Sequence, residues 1–188
     1  MTYAELQTTT HFSFLRGASS ADELFARAAE LGICALGIVD RNSLAGIVRA
    51  WEASKATGVR LVVGCRLDLA CGTSILVYPT DRAAYSRLTR LLSLGKSRGG
   101  KGKCILHFED VEAYAEGMIG ILVPDEADDI CATQMRRLSK IFGSRAYLAL
   151  SLRRRPNDQL RLYKLANIAA DLGVKPVVTN DVLFHDPG

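Results

Sequence analysis

The sequence predicts an α/β protein in which short buried strands alternate with amphipathic helices. One unit recurs along the chain: an amphipathic run ends at glycine and a short apolar run follows it. Glycine suits a helix end because the left-handed conformation there carries no Cβ penalty. The apolar runs are four to eight residues long and nearly continuous in Val, Ile and Leu, the pattern of strands buried on both faces of a parallel sheet. A barrel and a doubly wound sheet both fit this alternation, and periodicity does not separate them.

Taken in order, residues 3–9 (YAELQTT) form the first strand. The helical run 23–32 precedes the strand 33–40 (ICALGIVD), and 47–58 precedes 59–64 (VRLVVG). Residues 73–79 (TSILVYP) add a strand. Then 108–117 precedes 118–124 (MIGILVP), 135–143 precedes 144–152, and 160–173 precedes 174–181 (VKPVVTND), giving about seven strands. Ser20 and Glu23 have the spacing of a capping box, with Leu24, Ala28 and Leu31 on one helical face. Asn157, after Pro156, is the expected N-cap of the last long helix, whose stripe is Leu162, Leu165, Ala169 and Leu172.

The 188 residues are enough to bury one sizeable core, with 48% hydrophobic and 23% charged residues, so a single domain over 1–188 is the expectation. No apolar run approaches the ~20 residues of a membrane span. The start MTYAELQ lacks the layout of a secretory signal, so a cytoplasmic protein is expected. The five cysteines (Cys34, Cys65, Cys71, Cys104, Cys131) include no CxxC pair, which argues against a zinc ribbon or a disulfide framework. Cys34 and Cys131 read as core fillers. The net charge of +4 is compatible with nucleic acid without demanding it.

In such folds chemistry gathers at the carboxyl ends of strands. Those ends carry Gln7, Thr9 and His11; Asp40 and Arg41 in GIVDRNSLAG; Arg66 in VVGCRLDL; and Asn180, Asp181, Leu183 and His185 in VVTNDVLFH. Together with YAELQTTTHFSFLRGAS and VYPTDRAAYSRLTRLLSLGK, these segments resemble the PHP (polymerase and histidinol phosphatase) domain that opens bacterial C-family DNA polymerases. The likeness covers nearly the whole chain and is nearest to the error-prone, damage-tolerant branch. The resemblance implies a distorted seven-stranded βα barrel, here incomplete at its C-terminus, with a metal cluster at its mouth in metal-binding members. In those members His-x-His follows the first strand, where this chain has Gln7 and Thr9. An Asp-His pair corresponds to Asp40 and Arg41, a Glu to Arg66, and the closing Asp-x-His to Asp181 and Leu183. Only the two aspartates match.

Gln and Thr are poor ligands for Zn or Mn, Leu183 cannot ligate, and Arg41 and Arg66 bring fixed positive charge to the site. The expectation is therefore a degenerate metal site with no bound metal and no catalytic residue, in which Arg41 or Arg66 pairs with Asp40 or Asp181. His11, His107 and His185 fall off the ligand positions and read as surface or capping residues. Asn180 reads as a hydrogen-bonding partner of the loop backbone. Phe12 and Phe14 read as packing beneath the barrel mouth. The segment 95–104 (GKSRGGKGKC) is a glycine-rich loop without the order of a phosphate loop, and its Lys96, Arg98, Lys101 and Lys103 are candidate DNA contacts. The run Arg153–Arg155 adds positive charge after a strand end.

By resemblance, the polymerising carboxylates belong to a domain that this chain does not include. The parent would be a DNA-directed DNA polymerase, and this segment a non-catalytic scaffold. Its partners would be the parent's own polymerase domains, DNA indirectly, and other damage-response replication factors, with no membrane. The alternatives are a metal-dependent phosphoesterase or 3′–5′ exonuclease, which would require Zn or Mn, and a stand-alone nucleic-acid-binding module.

Overall fold

The computed structural model describes residues 3–186. The chain divides into two compact units, residues 1–66 with 180–188 and residues 67–179. In the first, β1 (Ala4–Thr8), α1 (Ala21–Glu30), β2 (Ala35–Ile38), α2 (Ile47–Thr57) and β3 (Arg60–Val63) form a three-stranded parallel sheet in the order β1-β2-β3. Its core joins Leu24, Phe25 and Ala28 of α1 to Leu36 and Ile38 of β2 and to Ala50 and Ala53 of α2. The capping box starts α1 as expected: Ser20 Oγ accepts from Glu23 N at 3.3 Å while Glu23 Oε2 accepts from Ser20 N at 2.7 Å. Leu31, expected on the buried face, is 60% exposed, because the helix has ended and Leu31 is its C-cap.

In the second unit, β4 (Cys65–Asp68) carries the chain across the boundary. It is followed by β5 (Ser74–Pro79), α3 (Arg82–Gly99), α4 (Phe108–Tyr114), β6 (Met118–Val123), α5 (Asp129–Phe142), β7 (Ala146–Leu150), α6 (Asp158–Asp171) and β8 (Lys175–Val178). The sheet order is β4-β5-β6-β7-β8. The seven strand segments named from the sequence all appear, and β4, which the sequence reading did not name as a strand, makes eight. Among the described residues two hydrogen-bonded sheets form. The expectation of uniformly parallel, fully buried strands fails at β3, whose residues are exposed or only partly buried, and at three other strands. β5 and β6 pair antiparallel, and β8 is an edge strand with exposed Lys175, Pro176 and Val178.

The amphipathic run 82–99 is a helix through the stretch read as the start of a loop. Asp81 caps it, accepting from Ala84 N at 2.7 Å, and Leu88, Leu91 and Leu92 are buried along it. Asn157 occupies the N-cap position of α6 without a side-chain cap. Asp158, the first helical residue, instead ties down the loop before the helix, its Oδ2 accepting from Arg154 N at 2.9 Å. Of the expected α6 stripe, Leu165 and Ala169 are buried, while Leu162 and Leu172 are only partly so. Cys131 is buried as a core filler, but Cys34 is exposed at the rim of β2.

Candidate functional site

The candidate residues that converge lie in the first unit. Alternation along β1 puts Glu5 and Gln7 on one face, both buried. The segment 180–183 runs beside this strand, with Val182 N donating to Gln7 O at 2.8 Å and Thr9 N donating to Val182 O at 2.9 Å. That pairing brings Asp181 to Gln7, whose Nε2 donates to Asp181 Oδ1 at 2.7 Å. A second pairing, between residues 40–42 and 66, delivers Arg66: its N–H donates to Asp40 O at 3.1 Å, and Asn42 N donates to Arg66 O at 2.8 Å. Arg66 is 8% exposed, and its Nη1 reaches the same Asp181 Oδ1 at 3.4 Å. The expected ion pair is thus Arg66 with Asp181.

Asp40 is held differently. It is 1% exposed and accepts three hydrogen bonds, from Thr10 N at 2.9 Å, Thr10 Oγ1 at 2.8 Å and Ser13 Oγ at 2.7 Å. Burial pushes its carboxyl above the ordinary aspartate range, and the bonds from Ser13 and Thr10 oppose that rise. Ser13 Oγ also accepts from Arg41 N at 2.9 Å. Asp40 therefore clamps the segment after β1. Thr9 is buried beside it, and Leu183 is partly buried, its carbonyl accepting from Ala18 N at 2.8 Å.

Glu5 belongs to this cluster, although the strand-end rule passed over it because it sits inside β1. It accepts from Gln7 N at 2.7 Å, Asn180 Nδ2 at 2.9 Å and Tyr3 OH at 2.7 Å. Asn180 therefore bonds the Glu5 side chain and the Tyr3 hydroxyl, at 2.9 Å, rather than loop backbone. The available signal was its spacing, two residues before Gln7 on the same strand face. Thr10 and Ser13 were also missed, because their role depends on a fold-back that spacing does not reveal.

This donor set does not suit a divalent metal. Asp181 Oδ1 already receives an amide N–H and a guanidinium, and both Asp40 oxygens receive donors. A cation here would have to displace Arg66 or be repelled by it. Among the described residues no three of His, Cys, Asp and Glu come together. His11 is exposed and stacks on Phe12 at 4.8 Å between ring centroids. His185 Nδ1 lies 2.8 Å from Ser19 Oγ, and the His185 N–H donates to the same oxygen at 2.9 Å. His107 begins α4, with its N–H donating to Asp110 Oδ2 at 2.9 Å.

The aromatics are not beneath the site. Phe12 is 41% exposed and Phe14 84% exposed, on a tight loop whose Leu15 takes a left-handed φ of 60°. That conformation costs a residue with a Cβ about 1–2 kcal/mol. Gly17 is required at the loop's close, where a Cβ would lie 2.2 Å from Thr10 O.

Of the candidate DNA contacts, Lys96 and Arg98 lie in the last turn of α3, and Lys101 and Lys103 follow it, both exposed. Arg98 grips Asp110 with two bonds, at 2.5 and 2.8 Å, and this guanidinium holds the Asp110 carboxyl below the ordinary range. These four residues are in the second unit. In the Arg153–Arg155 run, Arg153 bonds Asp125 Oδ1 at 2.7 Å. No helix among the described residues is long and apolar enough to cross a membrane.

Comparison with known proteins places this geometry. The chain is 72% identical over 188 residues to error-prone DNA polymerase 2 of Rhizobium meliloti, covering 100% of this chain and 17% of the relative. It is 71% identical over the same length to error-prone DNA polymerase 3 of Agrobacterium fabrum, again covering all of this chain and 17% of that protein. It thus spans about one sixth of the length of these relatives. Among solved structures, one from Bifidobacterium adolescentis assigned as a metal-dependent phosphoesterase superposes with a TM-score of 0.74 at 14% identity, covering 100% of this chain and 89% of that one. At that identity the likeness is one of fold. The sequence matches the PHP domain family over residues 5–164, and with strands, helices and strand-end residues arranged as described, the chain belongs to that family.

Proposed function

We propose that this chain is the PHP domain of an error-prone, damage-tolerant DNA polymerase and that it serves that polymerase as a scaffold rather than as a hydrolase. The observation that carries the reading is the alignment with such polymerases over all 188 residues at 71–72% identity. The Arg66–Asp181 contact supports the scaffold role, because it neutralises a carboxylate where hydrolytic members would hold a cation. Polymerisation itself needs carboxylates holding two metal ions about 4 Å apart, and among the described residues no three of His, Cys, Asp and Glu form a group that could hold a metal ion. Its partners are then the polymerase domains of the same polypeptide, with DNA engaged through them.

The test is incubation of the chain with end-labelled single-stranded DNA and Mn. No degradation above that of an Asp40→Asn, Asp181→Asn double variant is expected. Metal-dependent trimming of 3′ ends that this variant loses would replace the scaffold reading with the exonuclease one.

A further inference from the structure

We propose that the loop 11–17 is a docking knob. Its Phe14 and Leu15 would seat in an apolar cleft of the polypeptide that follows this domain in the full-length polymerase, and Asp40 would hold the knob in shape. The proposal rests on the reading of the chain as a polymerase domain.

Four observations lead to it. Phe14 and Leu15 are 84% and 86% exposed, two consecutive large apolar side chains at a loop tip where water would favour polar ones. The loop is nonetheless closed by its own backbone hydrogen bonds. Ser13 N donates to Thr10 O at 3.0 Å, Arg16 N to Ser13 O at 2.9 Å and Gly17 N to Ser13 O at 3.1 Å, and His11 N closes the base on Ser19 O at 2.9 Å. The left-handed Leu15 marks strain sustained by these bonds, and such outliers concentrate at ligand clamps and contact points. Finally, the Asp40 carboxylate buttresses the loop from below through Thr10 and Ser13. A rigidly presented apolar pair binds without the ordering cost of a flexible loop.

The occupant follows from where the chain runs. Segment 180–186 is tied to the base of this loop by Ala18 N donating to Leu183 O at 2.8 Å and by the His185–Ser19 contacts. Residues 183 and 185 therefore lie beside the base of the knob. In the relatives, most of the length lies outside the segment matched here. Tethering of this kind gives a partner an effective concentration in the mM range. Phe14 and Leu15 carry no charge, and one exposed Arg16 is far short of the several phosphate contacts that hold DNA, which favours an apolar protein cleft. Exposed Arg16 beside them supplies a polar rim.

The experiment is hydroxyl-radical footprinting of the 188-residue chain and of the full-length polymerase, with limited proteolysis of both. Phe14 and Leu15 are expected to oxidise at least roughly fivefold more slowly in the full-length protein, as buried anchors do. Phe14→Asp should leave the melting temperature of the 188-residue chain within about 2 °C, since it changes an exposed site. In the polymerase the same variant should speed proteolytic release of this domain roughly tenfold. Leu15→Gly removes the side chain while relieving the left-handed strain, and should raise the stability of the short chain yet loosen the polymerase. Equal oxidation in both proteins would overturn the proposal. So would protection conferred by DNA alone, or protection of the short chain that rises with its own concentration and is lost in Phe14→Asp. None of these results bears on the nuclease assay, so the scaffold reading and the knob fail separately.

Discussion

Arg66 and Gln7 both direct donors at one oxygen of Asp181, the guanidinium at 3.4 Å and the amide at 2.7 Å. The fixed positive charge beside this carboxylate opposes a cation. Asp181 is more than a third exposed, at 37%, so solvent weakens the pair. A double-mutant cycle with Arg66→Met and Asp181→Asn, measured by urea unfolding, is expected to give a coupling of about 1 kcal/mol. A coupling indistinguishable from zero would remove the pair from the site's energetics.

Metal addition tests the same site independently. A site saturated at about a hundredfold over its dissociation constant would stabilise the fold by about 2.7 kcal/mol, which is roughly 5 °C or more in melting temperature for a protein of this size. With Zn or Mn added to the purified chain, a shift of less than about 1 °C is expected. A large, saturable rise would show that Arg66 moves aside for a cation.

Asp40 predicts both a mutational and a pH effect. Asparagine keeps an acceptor for Thr10 N and Ser13 Oγ, whereas alanine leaves these buried donors unsatisfied. Asp40→Ala should therefore cost about 2–3 kcal/mol and Asp40→Asn under about 1 kcal/mol. Because burial raises the folded carboxyl above its ordinary 3.8, the folded state binds the proton more tightly than the unfolded chain does. Its contribution is fully present below 3.8 and is lost as pH rises through the folded value. Urea unfolding across that window should show this falling component in the wild type and not in Asp40→Asn.

The Arg98–Asp110 contact has the opposite sign. Arg98 lowers the Asp110 carboxyl, so the stabilisation is present above the ordinary 3.8 and is lost as pH falls through the lower folded value. Arg98→Ala should flatten that acid limb while changing stability at neutral pH only slightly, because the guanidinium faces solvent. It also separates the residue's structural role from DNA affinity. Salt-sensitive DNA binding that survives Arg98→Ala but falls with Lys101→Ala and Lys103→Ala would assign any phosphate contact to the exposed lysines.

Gly17→Ala places a Cβ 2.2 Å from the Thr10 carbonyl, a backbone atom that cannot rotate away. It is expected to cost more than about 2 kcal/mol and to loosen the loop specifically. Hydrogen exchange should report this as faster exchange at the Arg16 and Gly17 amides, with the α1 and β2 amides unchanged.

What the sequence determined by itself was local and periodic. The Ser20–Glu23 capping box, the glycine-ended helices and the apolar strand runs each arise from contacts within a few residues, so they were legible without coordinates. The candidate site residues were legible as chemistry: Gln, Thr, Arg and Leu at strand ends do not make a Zn or Mn cluster wherever they point. Tertiary structure decided the partners. Of the two aspartates expected as an arginine's partner, Asp181 takes that role, while Asp40 anchors Thr10 and Ser13 because the chain after β1 folds back over it. Phe14 was expected inside and lies outside, because that fold-back is a tight loop with its tip in solvent. Glu5 entered the cluster because residues 180–183 pair beside β1, a contact spanning 175 positions of sequence. Periodicity reports which face a residue occupies, whereas its partner depends on which distant segment the fold lays against that face.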